Sequence, residues 1–500
     1  MFNRPASILA VIISLCVMHN IYAADEGKVF TLAAVINTVL TRHPDLAIGN
    51  IDAAISETAA ERIEGLLDPT VNASIGVSED QTPPSSDFQP RETQLGQLSG
   101  NIIKPLASGG TLGASLEYNR TKQDFSSPLA SQLATINPAY RSSLSLSYRM
   151  PLLRGSGRPE YTEALNASMS DIEAGRLQRE LIARDLSLQT LNVYFRLLSD
   201  GVRVKLAEVT LKRANRLLEY QQFREKFGLI ETADRMQAEA LLATRKLEVQ
   251  QARAQQVNDT VELNRLMLRA PDAPLNVVAN EQPVRSGIGG LDDSIEDALS
   301  QRPEFQILEA QLKATESRLK IARNAKQIQL DVVAEVGTLA LNEDAGNAAA
   351  DTFSTADHFA GVSLELSDRL GRRVANADLR ETELARQRVL AQRTQVKELI
   401  RDELAGVLSA LTTGEEILKL ARLSVEAEKK KFEAELSRYR EGRSDTTTVI
   451  QFEGELHVAE LQAELQLLSL LLADKQYAWA KGVLLDELGI QVPPYEGVMQ

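Results

Sequence analysis

One cysteine in 500 residues, Cys16, is all the thiol chemistry that this sequence holds. It lies in a mostly apolar run, Ile8 to Met18, that follows Arg4 and precedes Ile21-Tyr22-Ala23-Ala24. That arrangement predicts a secretory signal peptide, residues 1–23, cut near Ala23. Leu15 is too bulky beside Cys16 for a good lipoprotein signal. The mature chain would then have no thiol, which excludes disulfides and cysteine–metal chemistry. Histidine is almost as scarce. His43, His358 and His457 are scattered through the mature chain, and no HExxH, phosphate-loop or EF-hand spacing occurs. Gly155-Ser156-Gly157 lacks the residue that a nucleophile elbow places on each side of its serine. No enzyme, cofactor or metal is therefore expected. After the signal no apolar run reaches the ~18 residues of a transmembrane helix. The most apolar stretch, Leu465 to Leu472, is short and flanked by Glu464 and Asp474. If this chain enters a membrane, it uses strands. Lys and Arg number 55 against 69 Asp and Glu, a net charge of −14. Such an exported acidic chain is unsuited to nucleic acid, whose binding rests on phosphate neutralisation.

Proline is missing from two long stretches, Tyr161 to Asp234 and Arg372 to Val449. Both are dominated by good helix formers, and they are copies. At an offset of 214 positions, Gly157-Arg158 falls on Gly371-Arg372 and Gly228 on Gly442 without a gap. Leu186/Ile400, Val193/Val407, Leu197/Leu411 and Leu218/Phe432 are apolar in both. A helix from Tyr161 to Lys226 would be roughly 100 Å long at 1.5 Å per residue. No compact core needs such a helix. Gly228 ends it, and Thr232 to Arg269 returns, forming a hairpin; its copy turns at Gly442 and descends to about Leu485. Aromatics at only 5% suit long solvent-flanked helices.

Between helices the period changes from 3.6 to 2. Val71, Ala73, Ile75 and Val77 alternate with polar or small residues, as do Leu112 to Tyr118 and Leu144 to Met150. A weaker strand is predicted near Gln94 to Lys104. In the second half Leu330, Val332, Ala334 and Val336, then Val362, Leu364 and Leu366, repeat the pattern. Each is about long enough to cross a bilayer when tilted. Phe30 to Leu67 reads as helix broken at His43-Pro44, and Arg302-Pro303 repeats that break at an offset of 259. The first half therefore carries 45 more residues, coinciding with the strand pair at Gln94 to Arg120. That pair either joins the sheet, giving six strands per chain, or folds outside it, leaving four. The predicted divisions are a first repeat over 24–270, a loop rich in Pro and Gly over 271–290, a second repeat over 291–485 and a tail over 486–500.

Helix, strands and long helical hairpin, all duplicated, resemble the TolC family of outer-membrane efflux proteins over nearly the whole mature chain. The duplicated Pro44 and Pro303 segments, the passage Tyr148 to Gly155 and the hairpin tips carry the likeness. The resemblance implies an α+β membrane protein whose duplicated hairpins form a periplasmic α-barrel and whose strands contribute to a trimeric transmembrane β-barrel. It also implies a homotrimer in outer-membrane lipid, partnered by a periplasmic adaptor and an inner-membrane pump of RND or ABC type. Its function would be a passive exit duct for efflux or type I secretion, opened at its tips. A periplasmic adaptor would instead show one hairpin between split β domains, and a coiled-coil scaffold would lack the strands.

In that family the tips close the periplasmic aperture and take the adaptor, which points to Gly228, Leu229, Asp234, Tyr439, Gly442, Arg443, Asp445, Thr448 and Gln451. Tyr439 stands where the family has an aromatic, and Asp234 where it has an aspartate, so a Tyr439–Asp234 hydrogen bond between neighbouring hairpins is expected. Glu225 replaces the aromatic of the first tip. Thr448 and Gln451 replace the familiar entrance aspartates, so an aspartate ring is not. Phe223, Phe227 and Phe432 are predicted to pack between helices, Lys429 to Lys431 to form a solvated face, and Arg149, Glu117, Asp331, Glu335 and Glu365 to line a wet strand face.

Overall fold

A computed structural model of the chain describes residues 29–134, 136–279, 289–353 and 357–493. The predicted signal peptide and Cys16 lie outside them. The described residues of Ala53–Gly175 and Ile307–Arg393 form one compact unit, and those of Met1–Asp52, Arg176–Gln306 and Thr394–Gln500 form the other.

The first unit holds the sheet. Its strands are β2 (Thr70–Asp80), β3 (Pro90–Pro105), β4 (Thr111–Phe125), β5 (Ala139–Pro151), β7 (Gln329–Asn342) and β8 (His358–Ser367). They lie in that order, every neighbouring pair antiparallel. The strand pair within the 45 additional residues of the first half thus belongs to the sheet, which has six strands among the described residues. Register follows from the alternation, because a slip of one residue would turn every apolar side chain to the wrong face. Val71, Ile102, Ala114, Leu146, Val336 and Ala360 make one cross-strand row, and Ile75, Leu98, Tyr118, Ser142 and Ala340 another on the same face. The opposite face is polar. Ser74 and Ser99 hydroxyls meet there at 2.8 Å, as do Ser115 and Ser145. Arg149 on that face is held 2.8 Å from Asp331 and 2.6 Å from Glu365. Both edge strands, β2 and β8, are exposed along their whole length.

Two short helices within long connections, α3 (Pro128–Leu133) and α8 (Ala345–Asp351), were not legible as periodic segments. Six or seven residues are too few for a period to show. Helix α8 is nucleated by Asp344, whose carboxylate accepts from the Gly346 and Asn347 amides at 2.9 and 3.0 Å. It is fixed to the sheet by the Ser142 hydroxyl, which donates to the Ala348 carbonyl at 2.7 Å.

The long helices are α4 (Pro159–Lys226) and α9 (Arg373–Arg440), both of 68 residues, about 100 Å each at the α-helical rise. The same strained turn introduces both: Gly157 and Arg158 have φ of 69° and 43°, Gly371 and Arg372 of 93° and 43°. Positive φ in a non-glycine residue is uncommon, and here it recurs at both copies. The descending helices are α5 (Thr232–Leu266) and α10 (Thr446–Lys481). Both stop sooner than predicted. Leu268 at φ 53° closes the turn after α5, and Gly482 at φ 86° ends α10, with a short α11 (Leu484–Glu487) beyond. Helices α1 (Leu32–Arg42) and α2 (Pro44–Glu64) break at His43 as expected, and α6 (Leu291–Gln301) and α7 (Pro303–Ala325) repeat the break at Arg302.

Inside the 271–290 loop lies β6 (Asn276–Val277), paired in parallel with β1 (Val29–Phe30). The Tyr194 hydroxyl sits 3.0 Å from the Phe30 carbonyl and 2.7 Å from that of Val278. By length and composition α10 is the one described helix apolar enough to cross a membrane. Its Leu468, Leu470, Leu471, Tyr477 and Trp479 are instead buried in the core of the helical unit.

That core contains charge. Arg184 of α4 lies 3.7 Å over the Trp479 ring and Arg302 lies 5.5 Å from it. Glu304 pairs with both arginines, and Glu403 of α9 pairs with Arg302. The Trp479 indole donates to the Arg184 carbonyl at 3.0 Å. Burial, then the charge of Arg302, push the Arg184 guanidinium down to about 10, so it remains charged at neutral pH. Trp479→Ala is expected to destabilise the helical unit by about 3–5 kcal/mol, read as a lower unfolding midpoint of the helical signal. Trp479→Phe, which keeps a ring face for the guanidinium, should lose clearly less. Equal losses would show that the ring stack contributes nothing.

Candidate functional site at the hairpin tips

Each hairpin turns through the same backbone device. The Gly228 amide donates to the Glu225 carbonyl at 2.8 Å and the Leu229 amide to that of Arg224 at 3.0 Å. In the second tip Gly442 donates to Tyr439 at 3.0 Å and Arg443 to Arg438 at 2.9 Å. This is a Schellman closure with glycine in the left-handed conformation, φ 67° and 74°. The duplication is therefore retained at the level of single hydrogen bonds.

The side chains then diverge. At the second tip Asp445 is the N-cap of α10, accepting from the Thr448 amide at 2.8 Å and its hydroxyl at 3.0 Å. Those bonds, the amide one foremost, hold the Asp445 carboxyl below its usual range. At the first tip the equivalent Glu231 makes no capping bond. Its neighbour Asp234 sits half-buried in the first turn of α5, where the helix N-terminus favours negative charge. Arg443 pairs with Glu441 on the surface, and Gln451 donates to Glu455 at 2.8 Å. Arg235 bridges Glu225, at 2.8 Å, and Glu239.

Tyr439 does not bond Asp234. It is buried, its ring edge-on to Tyr220 with centroids 5.9 Å apart. Its hydroxyl is hydrogen-bonded to the Gln221 amide and lies 3.3 Å from the Thr446 hydroxyl, which Gln221 also reaches at 2.8 Å. A buried clasp of Gln221, Tyr439 and Thr446 thus ties the first hairpin to the second within one chain, leaving Asp234 without a side-chain partner among the described residues. Gln221 escaped sequence reasoning because a glutamine among charged helical residues reads as surface. A fully buried glutamine needs partners; Tyr439 and Thr446 accept from its amide nitrogen, while its side-chain oxygen has no donor among the described residues.

Phe223 and Phe227 also depart from expectation. They are 58% and 60% exposed in the chain and pack on each other with centroids 4.8 Å apart, beside exposed Leu229. Lys430 is solvated as predicted, whereas Lys431 reaches across to Glu455 and lies 4.4 Å over Phe452. Above the clasp a cavity of about 530 Å³ opens between the hairpins, lined by Phe432, Leu436, Tyr220, Arg213 and Glu453 among others. Arg213 engages Glu460 at 2.9 Å, and buried Arg245 engages Glu453 at 2.6 Å. Burial, then the charge of Arg245, lower the pKa of nearby His457.

No protein-family model matches the sequence, and no curated protein matches it. Solved structures do. The outer-membrane channel OprN matches at 17% identity with a TM-score of 0.65, covering 90% of this chain and 89% of that one. The CmeC outer-membrane channel of Campylobacter jejuni matches at 16% and 0.63, covering 91% and 86%. The fold is that of the TolC-like outer-membrane channels. The MtrE outer-membrane channel of Neisseria gonorrhoeae, solved in an open state, has the same TolC-like fold at 16% identity and 0.61, covering 91% and 89%. OprN, CmeC and MtrE are all outer-membrane channels.

Tyr439→Phe removes the hydroxyl that serves Gln221 and is expected to cost about 1–3 kcal/mol, the penalty for an unsatisfied buried donor. A double-mutant cycle with Gln221→Met should show positive coupling, and a cycle with Asp234→Ala none. Coupling to Asp234 alone would restore the Tyr439–Asp234 bond and remove the clasp.

Proposed function

We propose that the protein is the exit duct of an export system in the Gram-negative outer membrane, a homotrimer through which substrate leaves passively. The observation that carries this reading is the six-stranded sheet, apolar on one face, polar on the other and bare at both edges. Hydrocarbon leaves no water to satisfy an unpaired edge, so a spanning sheet must close. Pairing β2 of one copy with β8 of the next closes it and keeps the apolar rows toward lipid. Three copies, the number that the TolC family resemblance implies, give 18 strands. Helical surface supports assembly too: Leu247 and Val257 on α5 and Leu420 and Leu423 on α9 are exposed in a single chain.

The partners in this reading are a periplasmic adaptor at the hairpin tips and an inner-membrane pump of RND or ABC type, for tripartite efflux or type I secretion. Gly228, Leu229, Asp234, Tyr439, Gly442, Arg443, Asp445, Thr448 and Gln451 form the aperture and docking region. Exposed Phe223, Phe227 and Leu229 support docking at the first tip. Opening would rotate or uncoil the hairpins and break the clasp, biased by tighter adaptor binding to the open form. The open state known for MtrE supports such a motion in this fold. An adaptor or scaffold is disfavoured by two hairpins and a two-faced sheet in one chain.

Purified protein in planar bilayers is expected to show a small resting conductance that rises in Tyr439→Phe. A pore indifferent to that change would remove the tip from gating; no pore at all would end the channel reading. On the sheet, Ile75→Arg places charge on the lipid face and should lose about 2–4 kcal/mol near the bilayer midplane, seen as a less heat-resistant oligomer on gels. Ser74→Arg, one residue along and facing the lumen, should be tolerated. Equal damage from both would refute the assignment of faces.

A further inference from the structure

The two hairpins are registered through their descending helices as well, and one level of the crossing breaks the likeness. At the offset of 214, Asp200 of α4 corresponds to Gly414 of α9, and Asp259 of α5 to Ala473 of α10. In the second hairpin this level is closed by small residues: a Cβ on Gly414 would lie 3.1 Å from the Leu470 side chain, and Ala473 is buried. The fold therefore makes this crossing with no ionisable side chain at either position; the polar group nearby is the Gln466 amide, 3.5 Å from the Gly414 carbonyl. In the first hairpin the same level holds two facing carboxylates, Asp200 at 3% and Asp259 at 6% exposure.

Donors around the pair are too few. The Gln255 amide reaches Asp259 at 3.3 Å. Arg196 stands 3.6 Å from Asp259 but pairs more closely with Glu262, and Arg203 stands 3.8 Å from Asp200. Helix α10 lines the adjoining cavity with Leu465, Leu468, Ser469 and Leu472, none of them ionisable. The Asp200 Oδ2 atom is buried with no donor, and a cavity of about 340 Å³ lies alongside. Two carboxylates without donors between them are stable only if something positive sits there, and a proton is the smallest candidate.

We propose that Asp200 and Asp259 share one proton, forming an acid–carboxylate hydrogen bond that clips the ascending and descending helices of the first hairpin together and releases them when the proton leaves. The second hairpin, with Gly414 and Ala473, has no such clip, so proton loss loosens one hairpin of the chain and not the other. The proton is taken from and returned to water through the adjoining cavity; no other reactant is needed. Burial, then the hydrogen bond and the charge of Asp259, push Asp200 up to about 7 from its ordinary 3.8. Between those values the folded protein holds a proton that the unfolded chain has released. The clip's contribution is thus complete below the ordinary carboxylate value and is lost as pH rises through 7.

The test uses the full-length protein in detergent. Infrared difference spectra of the wild type should contain a protonated-carboxyl band at pH 5.5 that is gone at pH 8.5, and that is missing from Asp200→Asn and from Asp259→Asn. In thermal unfolding, the wild type should fall below Asp200→Asn at pH 8.5 and stand level with it or above it at pH 5.5. The proposal is overturned if the wild type lacks a band titrating in this range, or if the difference between wild type and Asp200→Asn is the same at both pH values. It is equally overturned if added sodium or calcium raises the wild-type midpoint at pH 8.5 and leaves the variant unmoved, since a metal cation would then occupy the pair. The infrared measurement on the wild type decides the question even where a variant fails to fold.

Discussion

Charge buried beside Trp479 is the interaction on which the helical unit depends. Arg184 and Arg302 lie against one indole, and Glu304 and Glu403 take their N–H groups. These residues come from α4, from the α6–α7 junction, and from α9 and α10, so both sequence repeats meet there. A buried guanidinium is costly unless paired and hydrogen-bonded. Here each finds a carboxylate and a ring face. Leucines alone would let such helices slide by a turn. The charged cluster fixes their register, while the surrounding Leu, Ile and Val residues supply most of the burial.

The sheet works under the opposite constraint. Its polar face carries serine pairs and the Arg149–Asp331–Glu365 cluster, its apolar face carries rows of aliphatic residues, and neither edge is paired. In water such an object would aggregate; in lipid it would have to close. The additional β3–β4 pair in the first half would widen any barrel that such a sheet closed into, because circumference grows with strand number.

Duplication supplied two hairpins, and divergence gave them different tasks. Backbone closure at Gly228 and Gly442 is the same, whereas the second tip buries Tyr439 against Gln221 and the first leaves Phe223 and Phe227 in the open. Deeper in the hairpins, an acidic pair stands where the other copy has Gly414 and Ala473. Both differences lie where the backbone is conserved between copies, so the side chains alone carry them.

The sequence by itself determined the elements and their duplication. Long proline-free segments of good helix formers can only be helix, and strict alternation over Val71 to Val77 or Leu144 to Met150 can only be strand. The breaks at Pro44 and Pro303 and the tips at Gly228 and Gly442 were legible for equally local reasons. What required tertiary structure was every choice of partner. Whether Gln94 to Arg120 joined the sheet depended on cross-strand register, which alternation permits but does not select. Whether Tyr439 met Asp234 or Gln221 depended on which helix lay beside it, and Gln221 carries no local sign of burial. The same holds for Asp200 and Asp259, 59 positions apart in a helix rich in charge and its returning partner. A period reports which face of a helix is apolar; only packing decides which polar residue is trapped behind that face, and with whom.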